Sequence, residues 1–299
     1  MEQMETKSAF VAIVGKPNVG KSSLLNALLG EKVAIVTNKP QTTRTRITGV
    51  LTEGLVQYVF TDTPGLHKPR TKLSEHMVKT VTESVSEVDV VVLVVEPAGE
   101  LTPSELELIQ SVKQQKLPCI LAVNKIDTIA DKSRLLQRIE ELKALHEFDA
   151  VVPISAAHGE GLDDLKQELS YFAVPSVHFF PDDTLTDQPE RVIVAEIIRE
   201  KLLLLMRQEI PHGTAVAIDK MREREDKPII DIEATIFCEK ASHKGMIIGK
   251  GGSMLKRIAS DARVEIESFL DSKVNLTCWV KVKDDWRNKE SLIKSFGLS

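Results

Sequence analysis

The sequence predicts two folded parts, an α/β domain on a mostly parallel sheet covered by helices and a smaller α+β domain behind it. Three observations carry this. From residue 9 to about 172, near-continuous apolar runs alternate with helical periodicity, the pattern of strands buried on both faces. Pro175 to Glu190 interrupts that pattern with Pro175, Pro181 and Pro189 beside Asp182, Asp183 and Asp187, and holds no periodic run. Beyond it the order becomes helix, strand, strand, helix, strand, helix. The expected boundaries are therefore 1–174, a linker at 175–190, and 191–299. A chain of 299 residues can fill two cores.

The first domain's strands are expected at Phe10–Val14, Leu55–Phe60, Val90–Val95, Cys119–Val123 and Val151–Ile154. Helical spacing fills Leu73–Val88, Ser104–Gln115, Lys132–Leu145 and Leu162–Phe172. Ile47–Leu51 and Leu55–Phe60 flank Thr52-Glu53-Gly54, which reads as a hairpin and adds one antiparallel edge strand. In the second domain a helix covers Arg191 to Gln208, strands cover Gly213–Asp219 and Ile229–Cys238, a helix covers Ser253–Leu270 and a strand covers Val274–Val282.

Composition excludes several classes. Hydrophobic residues make up 42% and charged residues 28%, ordinary for a globular protein. No apolar stretch reaches the ~20 residues of a membrane span, and Met1 to Ser8 has acids and no apolar h-region, so no signal peptide is expected. Cys119, Cys238 and Cys278 are far apart and lack metal spacing, which points to reduced thiols and a cytoplasmic protein. The net charge of −5 argues against general affinity for nucleic acid. Between Glu239 and Arg263, however, Lys240, Lys244, Lys250, Lys256, Arg257 and Arg263 face only Glu239 and Asp261. That local excess points to a localised anionic partner.

Gly15-Lys16-Pro17-Asn18-Val19-Gly20-Lys21-Ser22 fits the phosphate-loop pattern and lies between a predicted strand and a predicted helix. Loop and helix-start N–H groups point at an anion there. Lys21 is expected to reach the β- and γ-phosphates, and the Ser22 hydroxyl to ligate Mg²⁺. Ser23 follows and is not expected to touch metal.

Asp62-Thr63-Pro64-Gly65 follows the next long strand. Asp62 can hold Mg²⁺ through water, and the Gly65 N–H can meet a γ-phosphate. In the polar segment Thr37 to Arg46, Thr43 is the expected further Mg²⁺ ligand and γ-phosphate sensor, with Thr42 the alternative. Asn124-Lys125-Ile126-Asp127 selects the base. A carboxylate at Asp127 accepts from guanine N1–H and the 2-amino group, whereas adenine would leave it unpaired. Asn124 is expected to tie this loop to the phosphate loop, the Lys125 stem to cover the base, and an N–H at Ser155-Ala156, that of Ala156, to donate to guanine O6.

Lys21, Mg²⁺ and the loop amides neutralise and align a phosphoryl group; the water-orienting group is not evident. Leu66 follows the Asp-Thr-Pro-Gly motif and cannot orient water, and His67 reads as a surface residue.

In the second domain Gly249-Lys250-Gly251-Gly252 is a G-x-x-G loop within the basic run, flanked by Lys244, Ile247 and Ile248 before it and Lys256 and Arg257 after it. Such a loop clamps about four single-stranded nucleotides while an apolar groove takes the bases, the KH mode; Ile247 and Ile248 are expected as groove floor. Trp279, in an alternating strand, reads as core. Trp286 lies among Lys283, Arg287 and Lys289, where stacking on RNA and ordinary packing remain equal readings.

The set GKPNVGKSS, PQTTRTR, DTPGLHKP and NKID resembles the Era family of P-loop GTPases, and the helix-strand order around the glycine loop resembles the second topological type of KH domain. The resemblance covers nearly the whole chain. It implies a GTP-hydrolysing switch that binds GTP and GDP, grips the 3′ end of small-subunit ribosomal RNA and acts in assembly of the small subunit. It further implies a monomer away from the ribosome and peripheral contact with the inner face of the membrane, for which the sequence shows no amphipathic or lipidated anchor. In related GTPases with asparagine at the place of Asn18, K⁺ takes the position of an arginine finger, so K⁺ stimulation is an expectation. Two rival readings stand beside this one: an RNA-binding assembly scaffold with GTP as structural ligand, and a signalling GTPase whose second domain binds protein.

Overall fold

A strand that alternates apolar residues on both faces needs cover on both, and β1 (Lys7–Val14) is such a strand. After it come α1 (Lys21–Leu29), β2 (Ile47–Glu53), β3 (Val56–Asp62), α2 (Lys72–Ser86), β4 (Val90–Val95), α3 (Pro103–Gln115), β5 (Cys119–Val123), α4 (Lys132–Lys143), β6 (Ala150–Pro153), α5 (Leu162–Ser170) and β7 (Val174–Pro175). The computed structural model describes residues 5–39, 41–65, 71–86, 88–206 and 210–298. The sheet order is β2-β3-β1-β4-β5-β6, with β7 pairing β1. Pairing is parallel except for the β2–β3 hairpin and the short β7. Val11 and Ile13 pack with Leu24 and Leu25 of α1 and Leu165 and Leu169 of α5. Ala12 and Val14 pack on the other face with residues of α2, α3 and α4.

The chain reverses its direction of travel across the sheet at β1, which lies between β3 and β4. Ligands of such sheets bind outside the carboxyl ends of the strands at that point. Gly15, Asp62, Glu96, Asn124 and Ser155 all lie at or just past carboxyl ends of strands.

The segment after β7 is not a loose tether. Gln57 Oε1 accepts from the N–H groups of Phe179 and Phe180 at 2.7 and 3.0 Å. The Val50 N–H donates to Leu185 O at 2.9 Å, and Phe179 packs edge-on against Phe10 at 4.9 Å. The first compact unit accordingly runs through Asp187.

The second unit holds Gln188–Ser299 together with the short pieces Ile35–Thr42 and Thr71–Leu73. Its elements are α6 (Glu190–Leu205), β8 (Thr214–Glu223), β9 (Ile229–Cys238), α7 (Ala241–Ile248), α8 (Ser253–Phe269), β10 (Lys273–Val282) and α9 (Glu290–Ser295). The sheet order is β10-β9-β8, with β8 antiparallel and β10 parallel to β9. Ile193, Ile197, Ile198 and Leu202 of α6 and Ile258, Ala262 and Ile266 of α8 close the core over one sheet face. Two charged residues of α6 are buried within this unit: Arg199 donates to Thr42 O, and Glu200 Oε1 accepts from the Val36 N–H at 2.9 Å.

Two features differ from expectation. An extra helix, α7, precedes the glycine loop. Trp279, expected in the core, lies outside it, and Trp286, for which two readings stood equal, is a packing residue. Trp279 is 56% exposed, because its alternates Cys278 and Val280 take the core face. Trp286 is fully buried, its Nε1–H donating to Gly213 O at 2.9 Å and its ring meeting Phe296 edge-on.

Candidate nucleotide site and nucleic-acid interface

Lys21 opens α1 from the loop at Gly15 to Gly20. Its side chain is buried, and its Nζ donates to Gly15 O at 3.1 Å and Lys16 O at 3.0 Å, which centres the ammonium in its own loop. Burial lowers its pKa to about 8, opposed by Asp62 and Glu105. Gly20 is left-handed at φ 99°, and a Cβ there would lie 2.3 Å from Asn124 Nδ2, so only glycine lets the two loops meet this closely.

Ser22, Thr43 and Asp62 converge. Ser22 Oγ donates to Asp62 Oδ2 at 2.6 Å and is 2.8 Å from Thr43 Oγ1, and Thr43 Oγ1 is 3.4 Å from the same carboxylate oxygen. Asp62 Oδ1 is buried with no hydrogen-bond partner among the described residues. One carboxylate and two hydroxyls are hard donors that suit Mg²⁺, and the second carboxylate oxygen is still available to a ligand. Burial raises the Asp62 pKa, opposed by Lys21 and by the Ser22 and Thr43 hydroxyls. The alternative ligand Thr42 is elsewhere: its hydroxyl is 2.7 Å from Thr37 Oγ1 and donates to Lys39 O at 2.7 Å. Among the described contacts Ser23 does not join this cluster. Gly65 lies against the phosphate loop, where a Cβ would fall 2.7 Å from the Pro17 main chain. Leu66 and His67 lie outside the described residues.

At the base end, Asn124 Nδ2 donates to Val19 O at 2.7 Å, the expected tie between the loops. Its Oδ1 accepts from the Ala156 N–H at 3.0 Å. The Ala156 N–H, the donor expected for guanine O6, meets Asn124 Oδ1 in this structure. Ser155 Oγ donates to Asp127 Oδ1 at 2.6 Å. This hydrogen bond, against the effect of burial and with help from His158, holds the Asp127 carboxyl below its ordinary range. Asp127 is thus kept ionised, as an acceptor for two N–H donors must be. Asn18 and Lys125 are both left-handed, at φ 66° and 68°, and Lys125 Nζ donates to Asn18 O at 2.6 Å.

Glu96, which sequence reasoning missed, joins these parts. It accepts from Lys125 at 2.7 Å and pairs with Lys16 at 2.8 Å. Burial raises its pKa, but the two ammonium groups outweigh that and hold it low. Its position right after β4, level with the other motif residues, was the available signal.

In the second unit the turn Gly249 to Gly252 joins α7 to α8 with Lys250 exposed. A cleft of about 400 Å³ begins at Gly252 and runs between α8 and β10. Leu255, Ala259, Leu276 and Cys278 form its apolar wall, and Lys256 and Arg263 its basic rim. The expected floor residue Ile247 is fully buried in the core, because α7 turns it inward; Ile248 is half-buried and packs on the same core. Arg257 is not among the residues lining the cleft and lies 3.8 Å from Asp261. Lys244 is partly exposed on α7.

A family profile described as "50S ribosome-binding GTPase" matches residues 10–125, and one described as "KH domain" matches residues 209–287. The chain is 49% identical over 294 residues to the GTPase Era of Ruminiclostridium cellulolyticum, covering 98% of each. It is 48% identical to the GTPase Era of Clostridioides difficile, covering 98% of this chain and 99% of the relative. Among solved structures it is similar to Aquifex aeolicus Era bound to GDP.AlF4-, with TM-score 0.95, 38% identity, and 98% of this chain and 100% of that chain covered. It is equally similar to a structure of Era in complex with MgGDPNP and nucleotides 1506–1542 of 16S ribosomal RNA, with TM-score 0.95, 38% identity and coverage of 98% and 99%.

Proposed function

The chain belongs to the GTPase Era family, and from that premise we propose that it is a GTP-hydrolysing switch in small-subunit ribosome assembly that holds the 3′ end of small-subunit ribosomal RNA. It is a GTPase with a C-terminal KH domain. One observation carries the reading: a metal-ready oxygen cluster at Ser22, Thr43 and Asp62 and a basic-rimmed apolar cleft behind a G-x-x-G turn occur in the same chain. The RNA assignment draws on the 16S fragment held by the Era of the solved complex.

Residues 15–23 bind the triphosphate, with Lys21 reaching the β- and γ-phosphates and Gly65 offering its N–H to the latter. Ser22 and Thr43 ligate Mg²⁺ directly and Asp62 through water. When bound, Mg²⁺ neutralises the charge that develops on the phosphate oxygens. Asp127 reads the guanine edge under the Lys125 stem, and Asn124 fixes the loop. The Gly249–Gly252 turn, with Lys250, Lys256 and Lys244, holds the RNA backbone.

The test is the pair Lys250→Asp with Gly251→Asp, measured on RNA of the 16S 3′ end. RNA binding is lost while GTP binding persists; retained RNA affinity overturns the assignment. Single-turnover hydrolysis with and without that RNA separates a switch, which accelerates, from a scaffold, which does not.

We also propose a K⁺ ion at Asn18, on the asparagine that related GTPases with such an ion carry at this place of the phosphate loop. Turnover is then faster in KCl than in NaCl at equal ionic strength, and equal rates remove the ion. No described helix is long and apolar enough to cross a membrane. Residence in the cytoplasm with peripheral membrane contact belongs to the same proposal, and cell fractionation tests it.

A further inference from the structure

Strand β10 is the edge of its sheet, paired on one side only, with β9. One row of its side chains, including Leu276 and Cys278, faces the helices and supplies a wall of the cleft. The other row, including Asn275, Trp279 and Lys281, is exposed throughout. Trp279 stands at the middle of that face at 56% exposure, one residue from Cys278. Its neighbour across the strands is Thr235, fully buried, whose hydroxyl donates to Asp219 at 2.5 Å.

The carboxylates of this face are already engaged. Glu233 is 3.7 Å from Lys220, and Asp231 accepts from Arg224 and from Asn275. Lys281, on the same face two residues beyond Trp279, has no carboxylate partner among the described residues. An indole face beside an unneutralised ammonium, next to the wall of a nucleic-acid cleft, suits a base and its phosphate. The exposed edge of β10 offers main-chain N–H and C=O groups to a strand crossing it.

We propose that Trp279 is a base-stacking platform for single-stranded RNA that leaves the cleft across the β10 edge, with Lys281 on the adjoining phosphate. This rests on the RNA reading of the cleft. The cleft then grips the nucleotides at the glycine turn, and Trp279 lengthens the footprint and raises affinity with little demand on base identity.

The full chain is titrated with two RNAs, one of about five nucleotides that fills the cleft alone and one of about twelve from the 16S 3′ end. Trp279→Ala binds the short RNA like the wild type and the long RNA about 10-fold or more weakly, while Trp279→Phe recovers most of the loss. Because Trp286 is buried, quenching by acrylamide reports Trp279, and the long RNA alone shields it. Equal affinity of Trp279→Ala and wild type for the long RNA, or quenching untouched by it, overturns the platform and leaves the face to a protein partner. A wild type that binds neither RNA overturns the cleft reading, and this inference with it.

Discussion

The side-chain amide of Asn124 donates to the main-chain carbonyl of Val19 at 2.7 Å, fastening the loop after β5 to the loop before α1 across 105 residues of chain. Its oxygen takes the Ala156 N–H, and Asn124 itself is only 2% exposed. Asn124→Ala strands both main-chain partners, at about 2–4 kcal/mol for two buried unpaired groups. The nucleotide-binding unit melts earlier, and GDP affinity falls by roughly 30-fold or more, read by calorimetry and a fluorescent GDP analogue.

Asp127 owes its readiness to Ser155. Asp127→Asn inverts the donor and acceptor pattern, so GTP binds ~100-fold or more weakly and xanthosine triphosphate becomes the better ligand. Ser155→Ala leaves the carboxylate in place but unguided; its GTP affinity falls between those of wild type and Asp127→Asn. Unchanged GTP affinity in Asp127→Asn would contradict the base assignment.

Trp286 is a packing residue. Trp286→Ala opens a large cavity beside Phe296 and costs the second unit about 3–5 kcal/mol. Trp286→Phe keeps much of the ring but leaves Gly213 O without its donor, at about 1–3 kcal/mol. Urea unfolding measures both, and GTP binding by the first unit stays as in wild type.

His178 gives the segment after β7 a pH dependence. A hydrogen bond with Asp182 at 2.7 Å raises its pKa, against the effect of burial and with help from Leu55 O at 3.2 Å. A raised imidazole pKa stabilises the charged form in the folded chain. The contribution is therefore complete below about pH 6.5 and is lost as pH rises through the folded value. Amide exchange in residues 176–187, corrected for its intrinsic pH dependence, shows protection that declines across that window, and His178→Gln abolishes the decline.

The first unit was legible because its strands are near-continuous apolar runs: Val90–Val95 and Cys119–Val123 fall where the residues place them. The nucleotide motifs were legible for the same reason, each at a strand's carboxyl end. Helix α7 was hidden because Gly245 interrupts eight residues that run directly into the glycine turn, and with it went the inward orientation of Ile247. Trp279 misled because its large apolar ring suggests core, although the alternating row Val274, Leu276, Cys278, Val280 and Val282 is wholly apolar and the row that holds Trp279 is otherwise polar. Trp286 is buried by Phe296, a contact that no local pattern encodes. The Ala156 N–H contact with Asn124 joins residues 32 apart in the chain, which no local pattern encodes.

Glu96, held between Lys16 and Lys125, dims the positive field at the mouth of the nucleotide site. Long-range attraction of a polyphosphate is correspondingly weak, and capture relies on short-range contact with oriented amides once the ligand has arrived. Nucleotide association should thus be almost indifferent to added salt, and Glu96→Gln should make it faster in dilute buffer and newly sensitive to ionic strength.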